Sequence, residues 1–230
     1  MINRIKPIHI SNRLAEVAKL VKGPNVADVG CDGANLAIWL AQNRNFFVYA
    51  SDLRAGPLEK AQLNVEKFNI AHKIKLIQAY GLQKIPSFVN DIIIAGLGGE
   101  QICNIVLSCS WTKTTRTRLI LQPQSFSVCL KQRLCSAGFA LEDEVYVVDK
   151  GKAYLILVAR FCGVSKELSL SEALTSGLKF SDEAAKAWVA QKKQKFLKAL
   201  NCLQSARPTA AVLRKKKQFE QTYSILDRLW

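Results

Sequence analysis

Short apolar runs alternate with stretches of helical spacing from Ile10 to about Arg160, and this alternation restricts the fold more than any other feature of the chain. Runs at 25–29, 46–51, 74–77, 91–95, 118–121, 144–148 and 153–160 read as strands. Between the first five lie amphipathic segments marked by Leu36/Leu40, by Leu58/Ala61/Val65/Phe68 and by Ile102/Ile105/Val106. Strands joined through helices run parallel and are covered on both faces, so the expectation is an α/β domain. The last two runs differ, because only Asp149, Lys150, Gly151 and Lys152 separate them. So short a connection joins antiparallel neighbours, and the seven-stranded sheet is expected to end in a hairpin.

Beyond residue 162 the pattern changes. Residues 163–180 show no clear period and read as a linker between a domain at 1–162 and a helical tail at 181–230. Val189, Phe196 and Leu203 recur every seven residues, as do Val212, Phe219 and Leu226 after Pro208, joined by Tyr223 and Trp230. Two such stripes separated by Ala206, Arg207 and Pro208 predict an antiparallel helical hairpin or short coiled coil. Ser181, with Glu183 and Glu172, offers capping chemistry at its start.

Charge points to the same tail. The chain has 33 Lys+Arg against 18 Asp+Glu, a net +15, and such an excess calls for a polyanionic partner. Residues 181–230 hold eleven Lys/Arg against four acids, whereas 51–100 hold six against five. Lys186, Lys192, Lys193, Lys195, Lys198, Arg207, Arg214, Lys215, Lys216 and Lys217 would then face phosphates; a solvated lysine-rich surface is the plainer alternative. An apolar fraction of 49% excludes a disordered chain. No apolar run reaches the roughly 18 residues of a membrane span, and MINRIKPIHIS lacks the apolar stretch of a secretion signal, so a soluble cytoplasmic protein is expected. Seven cysteines without a C-x-x-C pair, and histidines only at His9 and His72, support neither zinc nor a disulfide framework; each cysteine reads as a small buried hydrophobe.

Chemistry is concentrated at four strand ends. VADVGCDGANL at 26–36 delivers Asp28 and Gly30, then a turn with Asp32 and Gly33 opening a helix at Ala34. In an open α/β sheet this edge is where ligands sit. A dinucleotide would want G-x-G-x-x-G; the chain has G-x-x-G flanked by two carboxylates, which suit a cationic ligand such as an ammonium beside a sulfonium. A glycine turn merely capped by Asp32 is the alternative. Asp52 ends the next strand, where a ribose diol is usually gripped, unless it caps the helix starting near Pro57. DIIIAGLGGEQ at 91–101 breaks at Gly96, Gly98 and Gly99, where a methionine moiety could lie against the backbone. LQPQ at 121–124 offers the Gln122 and Gln124 amides to a base edge, with Pro123 fixing a turn between them, or forms a plain turn.

ISNRL at 10–14, VADVGCD at 26–32, GP at 56–57, AGLGG at 95–99, LILQP at 119–123 and the K-x-Y of Lys152–Tyr154, followed by the basic hairpin, resemble the bacterial tRNA adenine-22 N1-methyltransferases of the TrmK type. The resemblance implies a Rossmann-like class I fold that uses S-adenosyl-L-methionine, with tRNA as substrate partner, no metal, no membrane, and a monomer or weak dimer. It implies a cofactor site of Asp28, Gly30, Cys31, Asp32, Asp52, Leu53, Tyr80, Gly81, Gly96, Leu97 and Gly98, and substrate contacts at Arg13, Asn35, Asn64, Lys192, Lys195, Lys215 and Lys216. The chain departs from the family at Gly33 and Asn35, where D-H-A-Y is usual, at Tyr80, where an acid is usual, and at Gln124, where Asn is usual.

Adenine N1 carries a lone pair, so its methylation needs positioning rather than a strong base or a metal. Asp32, Gln122 and Gln124 are the candidate catalytic residues: Gln122, Gln124, Asn35 or Tyr80 to hold the base, Asp32 near the sulfonium. Three other readings remain at this point: a nicotinamide-dependent oxidoreductase, a methyltransferase acting on another RNA or on protein, and a catalytically silent RNA-binding relative.

Overall fold

The computed structural model describes residues 7–205 and 207–229; the predicted stripe position Trp230, the turn residue Ala206 and the first six residues lie outside them. Seven strands, β1 (Asn25–Val29), β2 (Phe47–Asp52), β3 (Ile74–Gln78), β4 (Asp91–Gly98), β5 (Arg118–Ser125), β6 (Phe139–Asp149) and β7 (Lys152–Phe161), form one sheet in the order β3-β2-β1-β4-β5-β7-β6. The first five are parallel, and β7 is inserted antiparallel between β5 and β6. The expected terminal hairpin is thus present, with Lys150 and Gly151 at positive φ in its turn.

Burial of both faces explains why the central strands read as unbroken apolar runs. On β4, Ile92 and Ile94 pack on one side with Leu119 and Leu121, while Ile93 packs on the other with Ile120. Helices α1 (Asn12–Leu20), α2 (Asn35–Arg44) and α3 (Ala55–Lys67) cover the Ile93 side; α4 (Gly99–Leu107), α5 (Ser127–Ser136) and the first turns of α7 (Glu183–Gln204) cover the other. The sequence period did not reveal α1 or α5.

Four expectations are corrected. Strands β4 and β5 run past the glycines and through Pro123, because a bulge at Gly96 lets Leu97 pair with Pro123 and Gly98 with Ser125, so LQPQ is strand and not turn. Pro123 is tolerated there because β7 pairs with β5 only as far as Leu121, leaving no partner to want its missing N–H. The stretch 163–180 contains α6 (Leu170–Thr175), whose Ala173 and Leu174 are buried. Ser169 and Glu172 form its capping box, and Asp182, not Ser181, caps α7. Finally, all seven cysteines are unpaired, but only Cys31, Cys103 and Cys135 are buried: Cys109 and Cys129 are half-buried, and Cys162 and Cys202 are exposed.

One buried cluster sets the direction of α1. Asp91, at the start of β4, accepts from the backbone N–H groups of Lys22 and Gly23 at 2.7 Å each, and Arg118, at the start of β5, donates to the Leu20 carbonyl at 2.7 Å. The end of α1 is thereby tied to the amino edge of the sheet. Its first turn, with Arg13, reaches the carboxyl edge.

Candidate active site

Strand order reverses between β1 and β4, and the crevice outside their carboxyl ends is the place such a sheet offers a ligand. The turn after β1 is tightly wound: Gly30, Asp32 and Ala34 have φ of 76°, 46° and 56°. Two of these are not glycine, and a left-handed backbone costs a residue with a Cβ on the order of 1 kcal/mol, so neighbours must hold the turn. The N–H groups of Gly30 and Cys31 both donate to the Ser51 carbonyl, at 2.8 and 3.0 Å, binding the turn to β2. Asn64 of α3 donates to the Gly33 carbonyl at 2.8 Å. A Cβ at Gly33 would lie 3.0 Å from Lys60 Cε and 3.1 Å from Asn64 Nδ2, so glycine admits these two side chains against the turn. Asn35 begins α2 and is half-buried, and Cys31 is buried with its thiol shifted up by desolvation first and by the charges of Asp28 and Asp52 next.

The three carboxylates lie in three environments. Asp28 is buried, its Oδ2 has no hydrogen-bond partner, and its pKa is pushed up to about 7, chiefly by desolvation and further by the charge of Asp52, against a backbone hydrogen bond from Ala37. Asp52 is also buried; its Oδ1 accepts from the Arg54 N–H at 3.0 Å and its Oδ2 from the Asp32 N–H at 3.4 Å. It therefore holds the approach to α3 without capping the helix interior. Asp32 is exposed and its carboxylate sits 3.6 Å from Lys60 Nζ; it does not cap α2, whose cap position is Ala34.

Around these acids, Leu53 and Tyr80 are exposed at the ends of β2 and of the segment after β3, and Gly81 (φ 55°) packs where a Cβ would meet Ile105 at 2.9 Å. Gly96 is exposed with φ 88°, Leu97 lies against Gly30, and Gly98 precedes α4. The predicted cofactor residues from β1, β2 and β4 thus converge on one edge.

Across that edge, Arg13 donates to Gln122 Oε1, and its guanidinium lies over the Tyr154 ring, 5.5 Å from the centroid. Gln122 is fully buried: its oxygen also accepts from Gln124 Nε2 at 3.4 Å, and its own Nε2 donates to the Pro123 carbonyl at 3.1 Å. With both ends of its amide engaged, Gln122 orders Arg13 and Gln124. The amide open to solvent is that of Gln124. Tyr154 was signalled only by the K-x-Y motif, and nothing in the sequence marked Lys60.

The tail rises from the same edge. Trp188 meets Tyr146 of β6 at 5.4 Å, and Gln191 exchanges two 3.0 Å hydrogen bonds with the backbone of Ala153, next to the β6–β7 turn. Because β7 is antiparallel to β5, that turn lies at the carboxyl edge. Past Gln191, α7 therefore continues beyond the sheet on the side of the crevice, for roughly 20 Å at 1.5 Å per residue. Helix α8 (Ala210–Asp227) returns along it, with Phe196 against Phe219 at 5.3 Å. Lys195 and Lys215 are exposed, Lys216 sits 3.9 Å from Glu220, and Lys192 is half-buried over Trp188 with its pKa pulled down to about 8 by desolvation and by Lys195. Lys131, by contrast, is buried and paired with Glu144 at 2.7 Å, out of reach of any RNA. A cavity of about 530 Å³ lies elsewhere, between β6 and the segment around α6, lined among others by Phe139, Leu141, Glu144 and Leu168. Among the described residues no group of three His, Cys, Asp or Glu could hold a metal, and no helix is long and apolar enough to cross a membrane.

The methyltransferase-domain family model matches residues 10–157, the sheet and its crevice. The chain belongs to that family. The Bacillus subtilis tRNA (adenine(22)-N(1))-methyltransferase is 35% identical over 155 residues, 66% of this chain, which spans 65% of that protein. In structure, the Bacillus subtilis m1A22 tRNA methyltransferase TrmK is similar with TM-score 0.78 at 26% identity, covering 96% of this chain and 98% of its own. A Streptococcus pneumoniae chain in complex with S-adenosyl-L-methionine, a candidate tRNA (m1A22) methyltransferase, gives TM-score 0.77 at 29% identity, over 96% and 99%. The TrmK-type resemblance read from the sequence is borne out, as is the class I methyltransferase fold. The antiparallel β7 departs from the 3-2-1-4-5-6 parallel order of a dinucleotide-binding sheet, and the matching family model is that of a methyltransferase domain, so the oxidoreductase reading is set aside.

Proposed function

We propose that this methyltransferase transfers a methyl group from S-adenosyl-L-methionine to N1 of an adenine in tRNA, with A22 of the D-arm as the target. The observation that carries the reading is Asp28 Oδ2, a buried carboxylate oxygen without a partner at the β1–β4 crevice, beside a second acid, Asp52. An isolated buried carboxylate is costly, and a cationic ligand would relieve it. These residues fit S-adenosyl-L-methionine: Asp28 would face its positive charge, Asp52 would accept from its ribose hydroxyls, and the exposed backbone at Gly96 would admit its chain.

When bound, the cofactor supplies an electrophilic methyl. The rest is positioning by this chain's own side chains. Gln122 holds the Arg13 guanidinium and the Gln124 amide in register, and Gln124 meets the base edge. Tyr80, exposed after β3, would cover the cofactor's adenine in place of the usual acid. The basic hairpin, rising on the crevice side, meets phosphates without choosing a sequence. Such a substrate places the protein in the cytoplasm.

The test is nucleoside mass spectrometry of tRNA incubated with protein and cofactor. The expected product is 1-methyladenosine. A methylated cytosine, guanine or protein side chain as the sole product overturns the proposal.

A further inference from the structure

Phe126 immediately follows β5 and stands at the cap position of α5 with φ 53° and ψ 36°, a left-handed backbone that bulky residues rarely adopt. Burial in the core does not repay that conformation. The ring is 60% exposed, belongs to none of the apolar clusters, and makes no ring contact among the described residues. Yet the surroundings are shaped to keep this backbone where it is: a Cβ on Gly99 would come within 2.5 Å of the Phe126 carbonyl oxygen and 2.8 Å of that of Ser125. The Phe126 carbonyl also accepts from the Leu130 N–H at 3.0 Å, starting α5. An exposed ring on a strained, tightly held backbone is a feature kept for something outside the chain.

Its position says what. Phe126 lies two residues past the exposed Gln124 amide and beside the Gly98–Gly99 step that ends β4, on the carboxyl edge that also carries Arg13 and the β1 turn. A base taken out of its stack loses its neighbours above and below, and enzymes that act on such bases replace them with aromatic faces. We propose that Phe126 is the stacking surface for the substrate purine, lying against its face while Gln124 meets its edge. This rests on the reading of the chain as an RNA adenine methyltransferase and adds to it the residue that receives the base. Charge makes no contribution at this ring, so the contact selects for a planar base and leaves phosphate affinity to the tail.

Three variants of the full-length protein separate the roles. Phe126→Asn keeps a residue that tolerates the left-handed backbone but removes the ring, Phe126→Leu keeps apolar bulk without a planar face, and Phe126→Trp keeps a face. Expected results are a melting temperature for Phe126→Asn equal to or above that of the parent, S-adenosyl-L-methionine affinity within about twofold, and kcat/KM for tRNA down roughly tenfold to a hundredfold, the size of a lost base–aromatic stack. Phe126→Trp should stay within a few-fold of the parent and Phe126→Leu should fall with Phe126→Asn. If the parent makes 1-methyladenosine and Phe126→Asn does so with undiminished kcat/KM, the inference is overturned while the function stands. If Phe126→Asn loses stability and cofactor affinity along with activity, the ring is structural and the inference is likewise overturned. If the parent methylates no adenine, the functional reading falls, and this base contact falls with it.

Discussion

Arg13, in the first turn of α1, donates a hydrogen bond to the buried carboxamide of Gln122, 109 residues further along the chain in β5. This contact couples an N-terminal helix to the strand end that presents Gln124. Removing the guanidinium leaves a buried amide oxygen with only the 3.4 Å bond from Gln124, and frees the Tyr154 face. Arg13→Ala should cost about 1–2 kcal/mol of stability. The more telling effect is on turnover: kcat/KM for tRNA should fall at least tenfold while calorimetry with S-adenosyl-L-methionine stays unchanged. Arg13→Lys should not rescue it, because an ammonium cannot both lie flat on Tyr154 and reach Gln122. Equal losses in cofactor affinity would mean that Arg13 serves the fold of the whole crevice.

Asp28 makes cofactor binding pH-dependent. Its folded pKa of about 7 lies above the ordinary value of 3.8, so the folded state holds the proton more tightly than the unfolded chain. Stability of the ligand-free protein should therefore fall as pH rises from about 4 to about 7, by at most on the order of 4 kcal/mol. Binding of a cation favours the ionised form, so S-adenosyl-L-methionine affinity should rise through pH 7 and level off above it. Asp28→Asn should flatten both profiles, leave the ligand-free protein more stable at pH 8, and weaken cofactor binding there. A pH-independent affinity in the parent protein would show that Asp28 does not face the ligand's charge.

Asp52 tests the ribose assignment separately. Its carboxylate already accepts from Arg54 and Asp32, and two hydroxyls would use its remaining lone pairs. Asp52→Ala should weaken S-adenosyl-L-methionine by about 1.5–3 kcal/mol, tenfold or more, with tRNA affinity unaltered. Unchanged cofactor affinity in a folded variant would remove Asp52 from the site.

How far the sequence carried the reading depends on the kind of signal each residue leaves. Strand β1 was legible to its last residue because Val26, Ala27 and Val29 are buried between a turn at Pro24 and a glycine at Gly30. The ends of β4 and β5 were not, since Gly96 and Pro123 look like breaks until a bulge lets them pair. Helix α1 was missed because only Val17 and Ala18 are buried in it, too few to display a period. In the site, the motifs single out Asp28, Asp32 and Asp52, which the fold brings to one strand edge, but which amide faces solvent is a matter of tertiary packing. Gln122 and Gln124 look alike in LQPQ, and only the Arg13 contact tells them apart. Phe126 left no sequence signal, since a positive φ on a phenylalanine cannot be read from its neighbours.

The tail must be probed by charge and not by deletion. Trp188, Val189 and Leu226 are buried in the main apolar cluster, so removing everything after Phe180 would uncover the sheet as well as discard the cations; a buried Trp alone is worth about 3–5 kcal/mol. Lys195, Lys198, Lys215 and Lys217 are exposed on the part of the hairpin beyond Gln191 or on the helix packed along it, and none has an ion-pair partner among the described residues. Replacing these four by Gln should leave melting temperature and S-adenosyl-L-methionine affinity intact. Each phosphate contact releases counterions, so log affinity for tRNA falls with log salt by about 0.7–0.9 per contact, and the fourfold variant should lose up to about 3.6 from that slope. Lys193→Gln, which breaks the 2.7 Å pair with Asp227 near the base of the hairpin, should change the slope much less. The decisive measurement is tRNA binding by both variants across a salt series. An unchanged slope in the fourfold variant would make the hairpin a solvated surface, and would move the RNA contact to the edge residues Arg13, Lys150 and Lys152.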